Sequence, residues 1–399
     1  MPHFSLEILV DTRRALENLT SDMRFEDIPG KSDVKNQLRS NVQRGRIPHA
    51  QIFLGREGSG ALPLAMAFAA YILCENRSET DSCGQCRQCL KSYKLIHPDL
   101  HFSFPVVKSG DKKRADTTSD DFLPQWRDMN LHHPYSEMSE WLQCMGADQT
   151  QPNINVKECN DIMHKLNMMS YESDNKILIM WQPEYLGNEG NRLLKLIEEP
   201  TEKTYLILVA TNQEAILQTI LSRCQLVKVP PFDSSEISEY LQHQLQLPAA
   251  QAEQIANLSD GNMQYALQVG KNEASDYSDL LIAWLRVAYK SDPAEINQWI
   301  AAFSELSKDE QKNFLHYGLH FFRQYLWLTL VQGDKAKLTA KEIEIASRMH
   351  KLLDFELAEK LISLLENMVS NLPRNVNVKI MLFADSLQMG EILRQKKSA

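Results

Sequence analysis

Gln51-Ile-Phe-Leu-Gly-Arg-Glu-Gly-Ser-Gly-Ala-Leu-Pro-Leu64 is the stretch on which the fold turns. Residues 51–54 form a short apolar run that reads as a strand, and the Ala- and Leu-rich run over 61–74 reads as a helix. A glycine loop joins them. Strand, glycine loop and helix make up a phosphate-binding loop, G-x-x-x-x-G-K-[ST], whose backbone N–H groups and helix N-terminus cradle phosphates. Gly55 and Gly60 hold the spacing, with Gly58 between them. Ala61 stands where a lysine neutralises the β- and γ-phosphates, and Leu62 where a hydroxyl ligates Mg²⁺. Neither side chain can do this work, and Glu57 adds a negative charge to the loop. The expectation is the scaffold of a nucleotide site without its chemistry, with weak or no nucleotide binding.

Reading outward, Lys176–Trp181 and residues 205–210 are continuous apolar runs, as in strands buried on both faces of a parallel sheet. Residues 191–199 read as a helix stopped by Pro200. The alternation predicts an α/β architecture. In a P-loop ATPase an acid at the end of a neighbouring strand holds Mg²⁺. Here Trp181 and Gln182 fill the acid positions, and Glu184, two residues on, is poorly placed to substitute. The lysine, the hydroxyl and both acids are missing together at two separated sites, so ATP hydrolysis by this chain is not expected.

The chain has 399 residues, enough for two or three domains, and an ordinary globular composition. Its net charge of −9 argues against a general nucleic-acid coat, while local DNA contact by a small basic surface stays open. No apolar run reaches bilayer length, and the N-terminus lacks the pattern of a secretory signal, so a cytoplasmic location is expected. Residues 1–22 precede a domain start near Met23 and read either as a short helical extension or as the product of an upstream start codon. Residues 102–155 interrupt the α/β pattern. Within them 108–121 reads as an exposed, mobile loop, and Trp126 and Trp141 suggest irregular packing. After Pro230-Pro231 the chain turns helical, with helices over 234–247, Ala249–Leu258 and 263–269 and a turn at Asp260-Gly261-Asn262. Beyond 280, Leu315, Leu319, Phe322, Leu326 and Leu330 share one helical face, as do Leu357, Leu361, Leu364, Leu365 and Met368. These read as a bundle core, some of whose apolar surface could meet neighbouring subunits.

Cys74, Cys83, Cys86 and Cys89 form C-x8-C-x2-C-x2-C. Thiolates at this spacing can converge on one tetrahedral Zn²⁺, and four sulfurs leave no open position, so the site would be structural. Gly84 allows the tight turn such a knuckle needs. Iron–sulfur ligation is the rival, although the C-x3-C-P ending is absent. Cys144, Cys159 and Cys224 read as small buried apolar groups.

Arg46-Ile-Pro-His-Ala50, the glycine loop, the four cysteines, His97-Pro-Asp99, Asn191-Arg-Leu-Leu-Lys-Leu-Ile-Glu-Glu-Pro200 and Thr219-Ile-Leu-Ser-Arg-Cys224 occur in this order. Together they resemble the bacterial clamp-loader subunits of the AAA+ superfamily, in particular the ATP-deficient delta-prime branch of DNA polymerase III. The resemblance covers about 23–399, strongly to 232 and more loosely beyond, where Asn375-Val-Asn-Val-Lys379 looks like the family's final collar helix. It implies an α/β AAA+ P-loop-like domain with a parallel sheet over 23–232, carrying a zinc module at 74–89 and the 102–155 insertion. A small helical lid domain would follow at 233–280, and an all-α collar at 281–399 that joins subunits.

The resemblance further implies that Arg223 is an arginine finger, reaching the ATP of an adjacent subunit. A plain surface arginine near a helix start capped by Ser222 is the bland alternative. Where family ATPases carry a sensing arginine this chain has Gln264 and Tyr265, and Thr211 sits at the other sensor position. The implied partners are gamma/tau and delta subunits, the sliding clamp and primer-template DNA, in a hetero-oligomer of the DNA polymerase III holoenzyme that is nucleoid-associated during replication. Two other readings stay open: a divergent active ATPase using Lys195 in place of the missing lysine, and a zinc-dependent DNA-binding module.

Overall fold

The structure is a computed structural model that describes residues 24–110, 112–147, 150–271, 277–331, 338, 340–350, 353–371 and 377–395. The 1–22 extension, Met23 and the first two residues of the Asn375–Lys379 motif lie outside these. The chain divides into two compact units, one running to Ile237 and including Gly261–Gln264, the other formed by Ser238–Asp260 and Tyr265 onward.

The first unit is built on a sheet that has five strands among the described residues: β1 (Ala50–Leu54), β2 (Leu100–Ser103), β3 (Lys176–Trp181), β4 (Thr204–Ala210) and β5 (Gln225–Lys228). All pairings are parallel, in the order β2-β3-β4-β1-β5. Every residue of β3 is buried, as its unbroken apolar run predicts. Helix α1 (Ser32–Gln43) precedes β1, and α2 (Ala61–Leu73) follows the glycine loop with all its residues buried. Its small and apolar residues suit a helix enclosed on every side. Phe68 of α2 meets Phe53 of β1 at 6.0 Å between ring centroids. Helix α3 (Arg87–Tyr93) comes next in the chain.

The 102–155 segment is more ordered than its polarity predicts. It starts inside β2 and contains α4 (Leu123–His132) and α5 (Met138–Cys144). Val106 and Asn153 close its ends as an antiparallel bridge. Phe104 stacks on Trp126 at 4.2 Å, and Trp141 meets Trp126 edge-on at 5.4 Å. The expected mobile loop is pinned by side chains of α6 (Val156–Asn167) and its N-cap. Asn155 Nδ2 donates to Thr117 O at 2.6 Å, and Glu158 accepts from Ser119 N at 2.8 Å. Side-chain caps replace water for these backbone groups, so a polar stretch lies buried at Thr117–Ser119.

The helix expected over 191–199 is shorter. A 3-10 segment, Pro183–Leu193, kinks at Gly187 and gives way to α7 (Leu194–Glu198). Helix α8 (Gln218–Leu221) leads to the edge strand β5. Helix α9 (Ser234–Leu245) begins in the first unit.

Past it, the second unit is helical among its described residues: α10 (Ala249–Leu258), most of α11 (Met263–Lys271), α12 (Ser278–Lys290), α13 (Pro293–Phe303), α14 (Lys308–Val331), α15 (Ala340–Met349), α16 (Phe355–Asn371) and α17 (Val378–Arg394). Trp284 stacks on Trp299 at 5.2 Å and donates its indole N–H to Ser386. Leu315, Leu319 and Phe322 are buried with the whole Leu357–Met368 set, and Leu326 is partly buried, whereas Leu330 is 62% exposed. The expected stripe thus leaves the core in the last turn of α14. No helix among the described residues is long and apolar enough to cross a membrane.

Candidate functional site

The glycine loop lies between the C-terminal end of β1 and the start of α2. In open parallel sheets ligands bind outside the carboxyl ends of the strands. Gly58 and Gly60 take left-handed φ of 67° and 81°, the cradle geometry that side-chain-bearing residues resist. Ala61 and Leu62 are buried apolar groups at the head of α2. The opposite wall is Trp181, Gln182, Val209, Ala210 and Thr211.

The remaining wall comes from the insertion. Pro134, Tyr135, Ser136 and Glu137 border the cradle, leaving a cavity of about 40 Å³. Sites that take whole ligands measure roughly 300–1,000 Å³. Tyr135 packs edge-on against Phe232 at 5.8 Å. The buried Glu137 accepts from Asn262 Nδ2 at 2.7 Å and forms a reciprocal capping box with Glu140. Gln264, at the expected sensor-arginine position, donates to Glu140. Tyr265 is buried in the second unit with its ring 5.5 Å from His316.

Glu184 has a definite place. Its Oε1 accepts from Thr211 N at 2.6 Å, Asn212 N at 2.8 Å and Thr211 Oγ1 at 3.2 Å, tying the ends of β3 and β4. Oε1 is thus occupied by backbone donors and the Thr211 hydroxyl, while Oε2 is buried without a partner among the described residues. Lys195 is exposed on α7 and is not among the cradle-lining residues.

The four cysteines do come together. Their sulfurs lie within 4.8 Å of one another, with Cys83–Cys89 at 3.9 Å and Cys74–Cys86 at 4.0 Å. A tetrahedron with Zn–S bonds of about 2.3 Å has edges of about 3.8 Å, so the donor set fits a tetrahedral ion. Cys83 N points at Cys74 Sγ and Cys86 N at Cys83 Sγ, both at 3.3 Å, which suits thiolate charge. Burial raises the Cys83 thiol, but backbone N–H groups of Gln85 and Cys86 outweigh it and lower it to about 6. Cys74 ends α2, and Cys86 caps α3. Of the lone cysteines, Cys159 is buried and Cys224 half-buried, while Cys144 is exposed, contrary to the expectation of a buried thiol. It is the last residue of the short α5, where the helix ends into solvent.

Sequence reading missed what surrounds the knuckle. Gln88, between two of the cysteines, bonds His97 Nε2 at 2.5 Å. His97 Nδ1 accepts from Asp99 N at 3.0 Å, which places the ring proton on Nε2. The buried Asp99 accepts from the N–H groups of Tyr171, Glu172 and Ser173 at 2.5, 2.8 and 2.8 Å. The His97-Pro-Asp99 motif is therefore a brace for the loop that enters β3.

Arg223 follows the end of α8 and is 38% exposed. Its Nε pairs with Glu198, and Nη1 donates to Thr219 O at 2.9 Å and Ser222 Oγ at 3.2 Å. Ser222 is the C-cap residue of α8, so it does not cap a helix start as the bland alternative supposed. An ion pair this exposed contributes about 0–1 kcal/mol.

A family model described as DNA polymerase III, delta subunit matches residues 30–233. Among curated relatives, DNA polymerase III subunit delta' of Bacillus subtilis is 23% identical over 354 residues, covering 87% of this chain and 92% of the relative. Subunit delta' of Yersinia pestis is 24% identical over 286 residues, 67% of this chain and 72% of the relative. Subunit tau of Bacillus subtilis is 25% identical over 274 residues, 67% of this chain but only 41% of that longer protein. The matched segment begins ahead of α1 and ends just past β5, so it takes in the whole sheet, the glycine loop, the cysteine knuckle and Arg223. With its parallel sheet, its P-loop-like cradle and half its length matched, this chain belongs to the delta-prime family of DNA polymerase III clamp-loader subunits.

Proposed function

We propose that this chain is the clamp-loader subunit that does not turn over ATP, and that it completes the ATP site of a neighbouring subunit with Arg223. The observation that carries this reading is the joint state of two places: a cradle with every catalytic group replaced, and an exposed arginine whose ion pair, to Glu198, is itself exposed. Guanidinium is permanently charged and offers a planar fork to phosphate oxygens. The fuel for clamp opening is then ATP bound on gamma/tau subunits. This chain works with those subunits, with delta, with the sliding clamp and with primed DNA, inside the DNA polymerase III holoenzyme. The division into an ATPase-like domain at 23–232, a lid at 233–280 and a collar at 281–399 is part of the same proposal.

The cysteine knuckle holds a structural Zn²⁺ in this reading. Bound zinc would cross-link the end of α2 to α3 without entering any reaction.

The test is clamp- and primed-DNA-stimulated ATP hydrolysis by the reconstituted loader, wild type against Arg223→Ala. An arginine supplied in trans is worth about 10³–10⁵-fold in rate. A fall of that order at the completed site, with the assembly intact, is the expected result. An unchanged rate would remove the finger and leave a scaffolding role.

A further inference from the structure

We propose that the insertion turn at 134–137 is a permanent internal occupant of the phosphate cradle, shutting out nucleotide independently of the missing lysine. Three observations converge on this. The turn itself lines the cradle: Tyr135, Ser136 and Glu137 are 4%, 9% and 4% exposed, against the glycine loop and the head of α2. It is also anchored at both sides, by the Tyr135–Phe232 ring contact and by Asn262 donating to Glu137. Asn262 is itself pressed on the loop. A methyl group added at Gly58 would lie 1.9 Å from its Oδ1, and Met263 N donates to Gly58 O at 3.1 Å.

The third observation joins the insertion to the lost acid. Trp181, standing where Mg²⁺ would be held, lies 5.3 Å from Trp126 of α4, which stacks on Phe104. An acid at 181 would face an indole surface with no cation beside it, a costly burial. The aromatic cluster that fixes the insertion thus uses the very side chain that replaced the acid. A carboxylate, Glu137, borders the space where phosphate charge would sit, so the occupant opposes anions as well as filling volume. This holds apart from the role of Arg223.

The experiment uses the full chain. Amide hydrogen exchange at residues 59–62 is compared between wild type and Y135G/E137G. The charge-assisted Asn262–Glu137 bond alone is worth about ten- to a hundredfold in local opening. Faster exchange of that size at 59–62, with Lys176–Trp181 unchanged, is expected. Equal rates at 59–62 would overturn the proposal. Should that variant fail to fold, Asn262→Ala, which removes the anchor and no core side chain, is read in the same way. In parallel, A61K/L62T is titrated with Mg-ATP. With the turn intact it is expected to show no saturable binding, and saturable binding would overturn the proposal. Failure of either arm leaves the Arg223 reading standing, because that reading is tested by hydrolysis in the assembled loader.

Discussion

Helix α2 has two ends with opposite histories. At its N-terminus the glycine loop keeps the backbone of a phosphate site, yet Ala61, Leu62, Trp181 and Gln182 have taken the positions of its chemistry. At its C-terminus Cys74 still meets Cys83, Cys86 and Cys89 with all four sulfurs in coordination range. One fully buried helix supports both. The contrast shows that a buried apolar helix can keep the backbone of a glycine loop at one end while side chains alone decide what each end can bind. At the cradle, residues 134–137 of the same chain border the glycine loop. At the knuckle four thiols lie close enough to share one ion, and would repel one another if ionised without it.

The largest expected effect is therefore at the knuckle. Structural zinc binding is worth about 10–16 kcal/mol in small zinc domains. Chelation, or Cys89→Ser, should lower the melting temperature and release the one zinc, as followed by calorimetry and metal analysis. A chelated chain that melts unchanged would mean that the sulfurs bind nothing of consequence.

The two glycine turns sharpen the comparison. Gly58 and Gly84 both sit at positive φ, 67° and 73°. A methyl at Gly58 would strike Asn262, while at Gly84 the nearest atom is 3.8 Å away. Gly84→Ala should cost only backbone strain, about 1 kcal/mol, and Gly58→Ala about 3 kcal/mol, read from denaturant midpoints. Equal costs would show that the cradle is less crowded than its contacts indicate. The smallest effect should come from Arg223→Ala. Its exposed pair with Glu198 predicts a stability change under about 1 kcal/mol, which would separate a role in a neighbour's site from one in this chain's folding.

Much of this was legible in the sequence. The continuous apolar runs marked β1, β3 and β4 within a residue of their observed ends, and the cysteine spacing named all four thiols of the cluster. The missing parts share a cause: they depend on residues distant in sequence and without local pattern. Tyr135 and Glu137 line a cradle formed about 80 residues earlier, and nothing in a polar insertion marks them as its wall. In sequence Glu184 stands only two residues past an acid position, whereas its partners, the N–H groups past β4, come near it only in three dimensions. Glu198 belongs to the Asn191–Pro200 motif, yet its pairing with Arg223 is made only by the fold. The edge strands β2 and β5 are short, and β5 is mostly exposed, so neither carried the buried-strand signature.

The most direct measurement is a calorimetric titration of Mg-ATP into the zinc-loaded full chain, with metal content determined on the same sample. One zinc per chain and no saturable nucleotide heat is the expected result. Saturable Mg-ATP binding by the chain alone would contradict the reading of α2 as a helix with one dead end and one live one.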